Sequence, residues 1–199
     1  MALESDFKQI SQESDMRQIG LISIILALAA TSACVPSLQQ LYSNKVLTFE
    51  PALIGTWISE DAKDTSIISQ SGDSVYDIIY SQEGVPAKFE GHLARLNNKL
   101  FLDTYPEDPE IKNDFYKTHL IPAHMFSEIE INGDSLQFAV LDDQWLGDQL
   151  DSGSVNIGQV RIEGDIILTA STDDLQNFVA KYADNEDAFP NPAVYHRLH

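Results

Sequence analysis

Five histidines, one cysteine and a large surplus of carboxylates are the side chains of this chain that could carry chemistry. His92 and Asp103 fall on two β-rich runs joined by Asn97-Asn98, so a hairpin would bring them opposite one another. A carboxylate that orients an imidazole makes a general base, and His92/Asp103 is therefore the pair on which an enzyme would be built. His119 and His124 are five residues apart; on one strand they would face opposite sides and could not share a metal. Cys34 is the only thiol, which excludes a disulfide framework within the chain and a cysteine-based zinc site. The sequence has no His-Glu-x-x-His, Gly-x-Ser-x-Gly, phosphate loop or dinucleotide fingerprint. Its acid clusters, Asp142-Asp143 and Glu107-Asp108-Glu110, lack the alternating Asp/Asn and glycine of a calcium loop. No metal site and no cofactor are expected, and catalysis is the last of three functional readings.

The elements that must position these groups are short. Nine runs read as strands: Ile54–Ser59, Thr65–Gln70, Val75–Tyr80, Ala87–Leu96, Leu100–Thr104, His124–Ile131, Ser135–Leu141, Val155–Ile162 and Ile166–Ala170. Turn residues separate them, among them Ser71-Gly72-Asp73, Glu83-Gly84, Asn97-Asn98, Asn132-Gly133-Asp134 and Glu163-Gly164-Asp165, which accept positive φ and favour tight hairpins. Spacing near ten residues predicts an antiparallel sandwich or barrel, not βα units. Alternation of Leu136, Phe138 and Val140, and of Met125, Ile129 and Ile131 against Glu128 and Glu130, predicts a sheet wet on one side. One helix is predicted after Ser171 or Thr172, with Leu175, Phe178, Val179 and Tyr182 on one face and Asp173 and Asp174 at its positive end. A second covers Asp142–Leu150, and the two prolines of Tyr105–Glu110 place that stretch in an exposed loop.

Cys34 closes an apolar run, Gly20–Ala33, that ends Thr31-Ser32-Ala33, and Met16-Arg17-Gln18 supplies a basic start before it. A basic start, an apolar stretch and small residues at the cut make a secretory leader, and the run is too short and too broken for a membrane span. The arrangement resembles a bacterial lipoprotein signal. Ser32 and Ala33 match the last two positions of the triplet before the lipidated cysteine, while Thr31 stands where leucine is usual. The resemblance implies cleavage before Cys34, a diacylglyceryl group on its thiol and an acylated amino group; acyl chains in combination hold a protein at a membrane where one does not. Glu4, Asp6, Glu13 and Asp15 make an acidic prelude that fits no leader, so Met16 is the expected start. Residues 1–33 are then a leader, 34–48 a tether, and 49–199 a single domain. Val35 lacks the aspartate that retains some lipoproteins at the inner membrane, so the expected place is the cell envelope at the outer membrane.

Without residues 1–33 the 31 acidic and 12 basic residues fall to 27 and 10, a net charge of −17. Such a surface repels phosphate backbones and excludes a nucleic-acid partner. It also repels anionic lipid, so attachment is expected from the lipid on Cys34 and not from a basic patch.

Gly55-Thr56-Trp57, following Phe49–Leu53, resembles the Gly-x-Trp opening of lipocalin-type barrels, in which the tryptophan closes the floor beneath an arginine. Arg161, on a late strand, is the arginine expected here, and the Thr-Asp-Tyr triplet of that family is missing. The chain also resembles poorly characterised bacterial lipoproteins through Phe49–Trp57, His92-Leu93 with Phe101-Leu102-Asp103, Pro122–Phe126 and Leu168–Thr172. These resemblances imply a mainly β fold, an antiparallel up-and-down barrel with a C-terminal amphipathic helix. The bacterial lipoprotein resemblance implies no established activity. The leading expectation, resting on Gly55-Thr56-Trp57, the hairpin series and the anchor, is a non-catalytic, lipid-anchored protein that binds a small apolar ligand, with Trp57 as the candidate ligand residue. The alternative is a filled barrel acting as an interaction module for another envelope protein.

Overall fold

The structure, a computed structural model, describes residues 34–109 and 111–199. The leader, the start at Met16 and Glu110 lie outside the described residues. The described strands are β1 (Leu47–Thr48), β2 (Gly55–Ser59), β3 (Asp64–Gly72), β4 (Val75–Gln82), β5 (Val85–Leu96), β6 (Lys99–Pro106), β7 (Met125–Asn132), β8 (Ser135–Val140), β9 (Gln159–Ile162), β10 (Asp165–Leu168) and β11 (Ala193–Leu198). The helices are α1 (Asp114–Lys117), α2 (Asp143–Asp151) and α3 (Thr172–Tyr182).

β2 to β8 follow one another as an antiparallel meander, and β11 lies between β8 and β2, closing an eight-stranded barrel. The expected mainly β fold with an up-and-down barrel is thus present. Two strand assignments need correction. Val155–Ile162 and Ile166–Ala170 do not enter the barrel; β9 and β10 pair with each other as a hairpin outside it, and Leu168 is also bridged to Ser37. The strand that completes the ring, Ala193–Leu198, was not expected, because prolines at 190 and 192 and its His-Arg pair obscure the alternation.

Registers fix which side chains point inward. Trp57 pairs with Ser66, Ser66 with Tyr80, Ile78 with Phe89, Leu93 with Leu102, Leu102 with Ser127, and Leu136 with Tyr195. One apolar cluster fills the interior around Leu53, Trp57, Ile68, Tyr76, Ile78, Leu93, Leu102, Ile129 and Leu136. Gly91 shows how dense it is: a Cβ there would sit 2.7 Å from Ile78 Cδ1. An eight-stranded barrel is just wide enough for such filling or for one small ligand.

A second core lies outside the wall. The apolar stripe of α3 (Leu175, Phe178, Val179) packs with Leu146 of α2, Ile166 and Leu168 of β10, and the outward residues Leu96, Phe101, Phe126 and Ala139. Ser171 caps α3 by accepting from Asp174 N–H at 3.3 Å, and Asp142 caps α2 by accepting from Trp145 N–H at 2.7 Å. Both helices fall within two residues of their expected bounds.

Residues 35–47, expected to be a tether, are packed. Val35 and Leu41 belong to the outer core, and Ser37 is fully buried. Their apolar residues find the exposed stripe left by the outer wall of β5 and β6, and the backbone is paired along the way. Ser37 exchanges hydrogen bonds with His124 at 2.9 and 2.8 Å, Leu38 N–H donates to Leu168 at 2.9 Å, and Arg95 N–H donates to Val46 at 2.8 Å. This strap descends the wall from the β6–β7 end to the opposite end, where β1 pairs with β5.

Candidate functional site

The lower end of the barrel is a closed floor. The turn at Pro51–Leu53 crosses it, Trp57 Nε1–H donates to Leu53 O at 2.9 Å, and Tyr76 stacks on Phe49 with centroids 5.0 Å apart. The arginine over Trp57 is Arg197 of β11, 4.1 Å from the ring centroid, not Arg161. Arg161 sits on the outer hairpin and donates to Asp151 at 2.7 Å. Trp57 is wholly buried in this floor.

At the other end the inward positions change character. Phe89, Thr104, Met125, Ser127 and Phe138 point inward by register yet are half-buried. This end, the mouth, is lined by two aromatics, a thioether and two small hydroxyls, with Phe89 and Phe138 packed on the interior cluster. Apolar walls with a few placed polar groups are what a small-molecule site needs. On one side of the mouth Tyr80 donates to Asp64 Oδ2 at 2.9 Å, with Tyr195 beside it. Burial, then the Asp64 bond, pushes the Tyr80 phenol well above its ordinary value, and burial raises Tyr195 as well.

The titratable cluster lies outside the barrel, under the strap. His92 and Asp103 are register partners on β5 and β6, as the hairpin predicted, but their side chains have other partners. Asp103 is 1% exposed and accepts from Leu41 N–H at 2.6 Å and from His124 Nδ1–H at 2.9 Å. His92 stacks on Tyr42 with centroids 3.9 Å apart; its Nε2 is 2.9 Å from Glu90 Oε1 and its Nδ1 3.2 Å from Ser74 O. The imidazole that Asp103 orients is thus His124, which sequence spacing could not reveal because the two are joined across separate elements. Asp103 spends both oxygens holding backbone and ring in place, so the cluster works as a clip for the strap. His119 is exposed after α1, its Nδ1 2.7 Å from Phe115 O, far in role from His124. No group of three His, Cys, Asp or Glu residues able to hold a metal occurs among the described residues.

Cys34 is exposed at the start of the strap, bridged to Asp142 at the mouth end. Desolvation of the sulfur by its surroundings, and then the charge of Asp143, raise its pKa, which disfavours the thiolate. A groove of about 660 Å³ lies between the β6–β8 wall and residues 183–192. Its carboxylates include Glu128, which pairs with Lys99 at 2.8 Å. Comparison with family models, with curated proteins and with solved structures finds no match.

Proposed function

We propose that this chain is a non-catalytic bacterial envelope lipoprotein, anchored through acyl chains on Cys34, whose barrel takes a small apolar ligand at its mouth. The observation that carries the ligand is the contrast between the two ends: a floor packed around Trp57 and Tyr76, and inward aromatics at the mouth that are only half-buried. The exposure of Cys34 supports the anchor. The outer membrane is its proposed place, on the strength of Val35 after the cysteine.

Mass spectrometry of the chain recovered from a bacterial envelope tests both parts. An N-terminal peptide beginning at Cys34 and carrying acyl mass is the expected result, and an unmodified thiol would remove the anchor. A native spectrum is expected to show an added mass that disappears on denaturation. A clean apo mass, repeated after incubation with lipid extract, would replace the ligand reading by a filled barrel that serves as an interaction module.

A further inference from the structure

Of the eleven large apolar residues exposed among the described residues, five gather at the mouth end. Val85, 71% exposed, stands at the β4–β5 turn, and Phe115 (77%), Tyr116 (59%), Leu120 (44%) and Ile121 (79%) stand on the connection between β6 and β7. The strands that lead into them are neighbours: β5 pairs with β6, and Glu107 N–H donates to Lys88 O at 3.0 Å. The turns of the opposite end are polar: Gly72-Asp73-Ser74, Asn97-Asn98 and Gly133-Asp134. The other six exposed apolar residues are dispersed, with Leu38 on the strap, Ile67 and Ile79 on the outer wall, Val160 and Ile162 on the outer hairpin, and Leu198 near the C-terminus.

We propose that the mouth end rests on a phospholipid bilayer, with the β6–β7 connection and Val85 seated in the interfacial zone. The direction of the chain supplies the occupant. On the anchor reading the acyl chains leave from Cys34, which is bridged to Asp142 at the same end as this connection. There is no slack between them: Val35 and Ser37 are buried, and Ser37 is paired with His124, the last residue before β7. Three extended residues from Cys34 to Ser37 span roughly 10 Å, so a membrane reached at Cys34 is reached by the connection as well. Aromatic and aliphatic side chains beside lysines suit the interface. Lys112 and Lys117 are outnumbered there by Glu107, Asp108 and Asp114, so the contact suits zwitterionic lipid and not an anionic one. This placement rests on the anchor reading and deepens the ligand reading, because a mouth held on a bilayer takes its apolar ligand from the lipid phase without passage through water.

Cys34 is the only thiol, so the full chain can be coupled there to a maleimide lipid in phosphatidylcholine vesicles whether or not a cell acylates it. Phe115→Trp is expected to be quenched by brominated phosphatidylcholine several-fold more than Asp73→Trp at the opposite end, above the background of Trp57 and Trp145. Ile121→Trp repeats the reading at a second site. Equal quenching at all three positions overturns the proposal. Because coupling is chemical, strong quenching with no acyl mass on Cys34 in cells removes the natural anchor alone, and acyl mass without quenching removes the loop contact alone.

Discussion

Arg197 covers Trp57 while its two terminal nitrogens donate to Ile54 O at 2.7 Å and Ala52 O at 2.6 Å. One guanidinium thus joins the closing strand to the floor turn, tying the last element of the barrel to its first. Removing it loses a cation–π contact and leaves two carbonyls without a charged donor. Arg197→Ala is expected to destabilise the fold by about 3 kcal/mol, read from chemical denaturation. Arg197→Lys should recover little, because a single ammonium cannot reproduce the fork. Unchanged stability in the alanine variant would show that the floor closes without it.

Gly55 is linked to the same arginine. Its φ of 151° is a conformation that side chains rarely adopt, and a Cβ there would lie 2.2 Å from Arg197 Nη1. Gly55→Ala is expected to cost about 2 kcal/mol through strain and displacement of the guanidinium. In an Arg197→Ala background the displacement part vanishes, so the two costs should be less than additive. Full additivity would disprove the coupling.

Asp103 sets the hold on the strap. Replacing it with alanine leaves Leu41 N–H and His124 Nδ1–H without an acceptor in a buried place, a loss of about 3 kcal/mol. Hydrogen exchange at the Leu41 amide should accelerate well before exchange in β2–β4, because the strap detaches from a barrel that remains closed. Exchange rising equally throughout would mean that strap and barrel unfold as one.

The barrel was legible because its strands obey a period of two and its turns carry Asn, Asp and Gly. The floor was legible through Gly55-Thr56-Trp57. The closing strand was not, since Ala193–Leu198 is short and its inward residues are Tyr195 and Arg197 beside an alanine, a pattern with little apolar contrast. The strap was misread for a similar reason. Val35–Leu47 has neither period, because it is shaped by the wall it covers: Leu41 and Val35 fit the outer core while Tyr42 meets His92. The partner of Asp103 was hidden as well, as nothing local joins residue 103 to 124 before the loop has folded back.

Tyrosine ionisation should govern alkaline stability. The phenols of Tyr80, Tyr195, Tyr76 and Tyr42 are all raised above the ordinary value of 10.0, each mainly by burial. A raised value in the folded state means that the fold binds the proton more tightly than the unfolded chain does. The stability linked to these groups is therefore complete below about pH 10 and is lost as pH rises through the folded values. The denaturation midpoint should hold steady through neutral pH and fall steeply above pH 10, and Tyr80→Phe should soften that fall. An alkaline limb identical in the variant would exclude Tyr80 as a source.

Two inward substitutions separate a filled barrel from one with an open mouth. Gly91 faces the packed half, where a new methyl meets Ile78 Cδ1 at 2.7 Å and Leu102 Cδ1 at 3.3 Å. Gly91→Ala is therefore expected to cost about 1–3 kcal/mol by overpacking. Ser127 points inward toward the mouth and is half-buried. On the reading that the mouth above it holds space for a ligand, Ser127→Val adds more volume than the Gly91 change yet should alter stability by less than about 0.5 kcal/mol. Ser127→Trp should fill that space, leave the fold intact and abolish the ligand mass in the native spectrum. If Ser127→Val is instead as costly as Gly91→Ala, the packed core extends to the mouth, and the barrel has no room for a ligand.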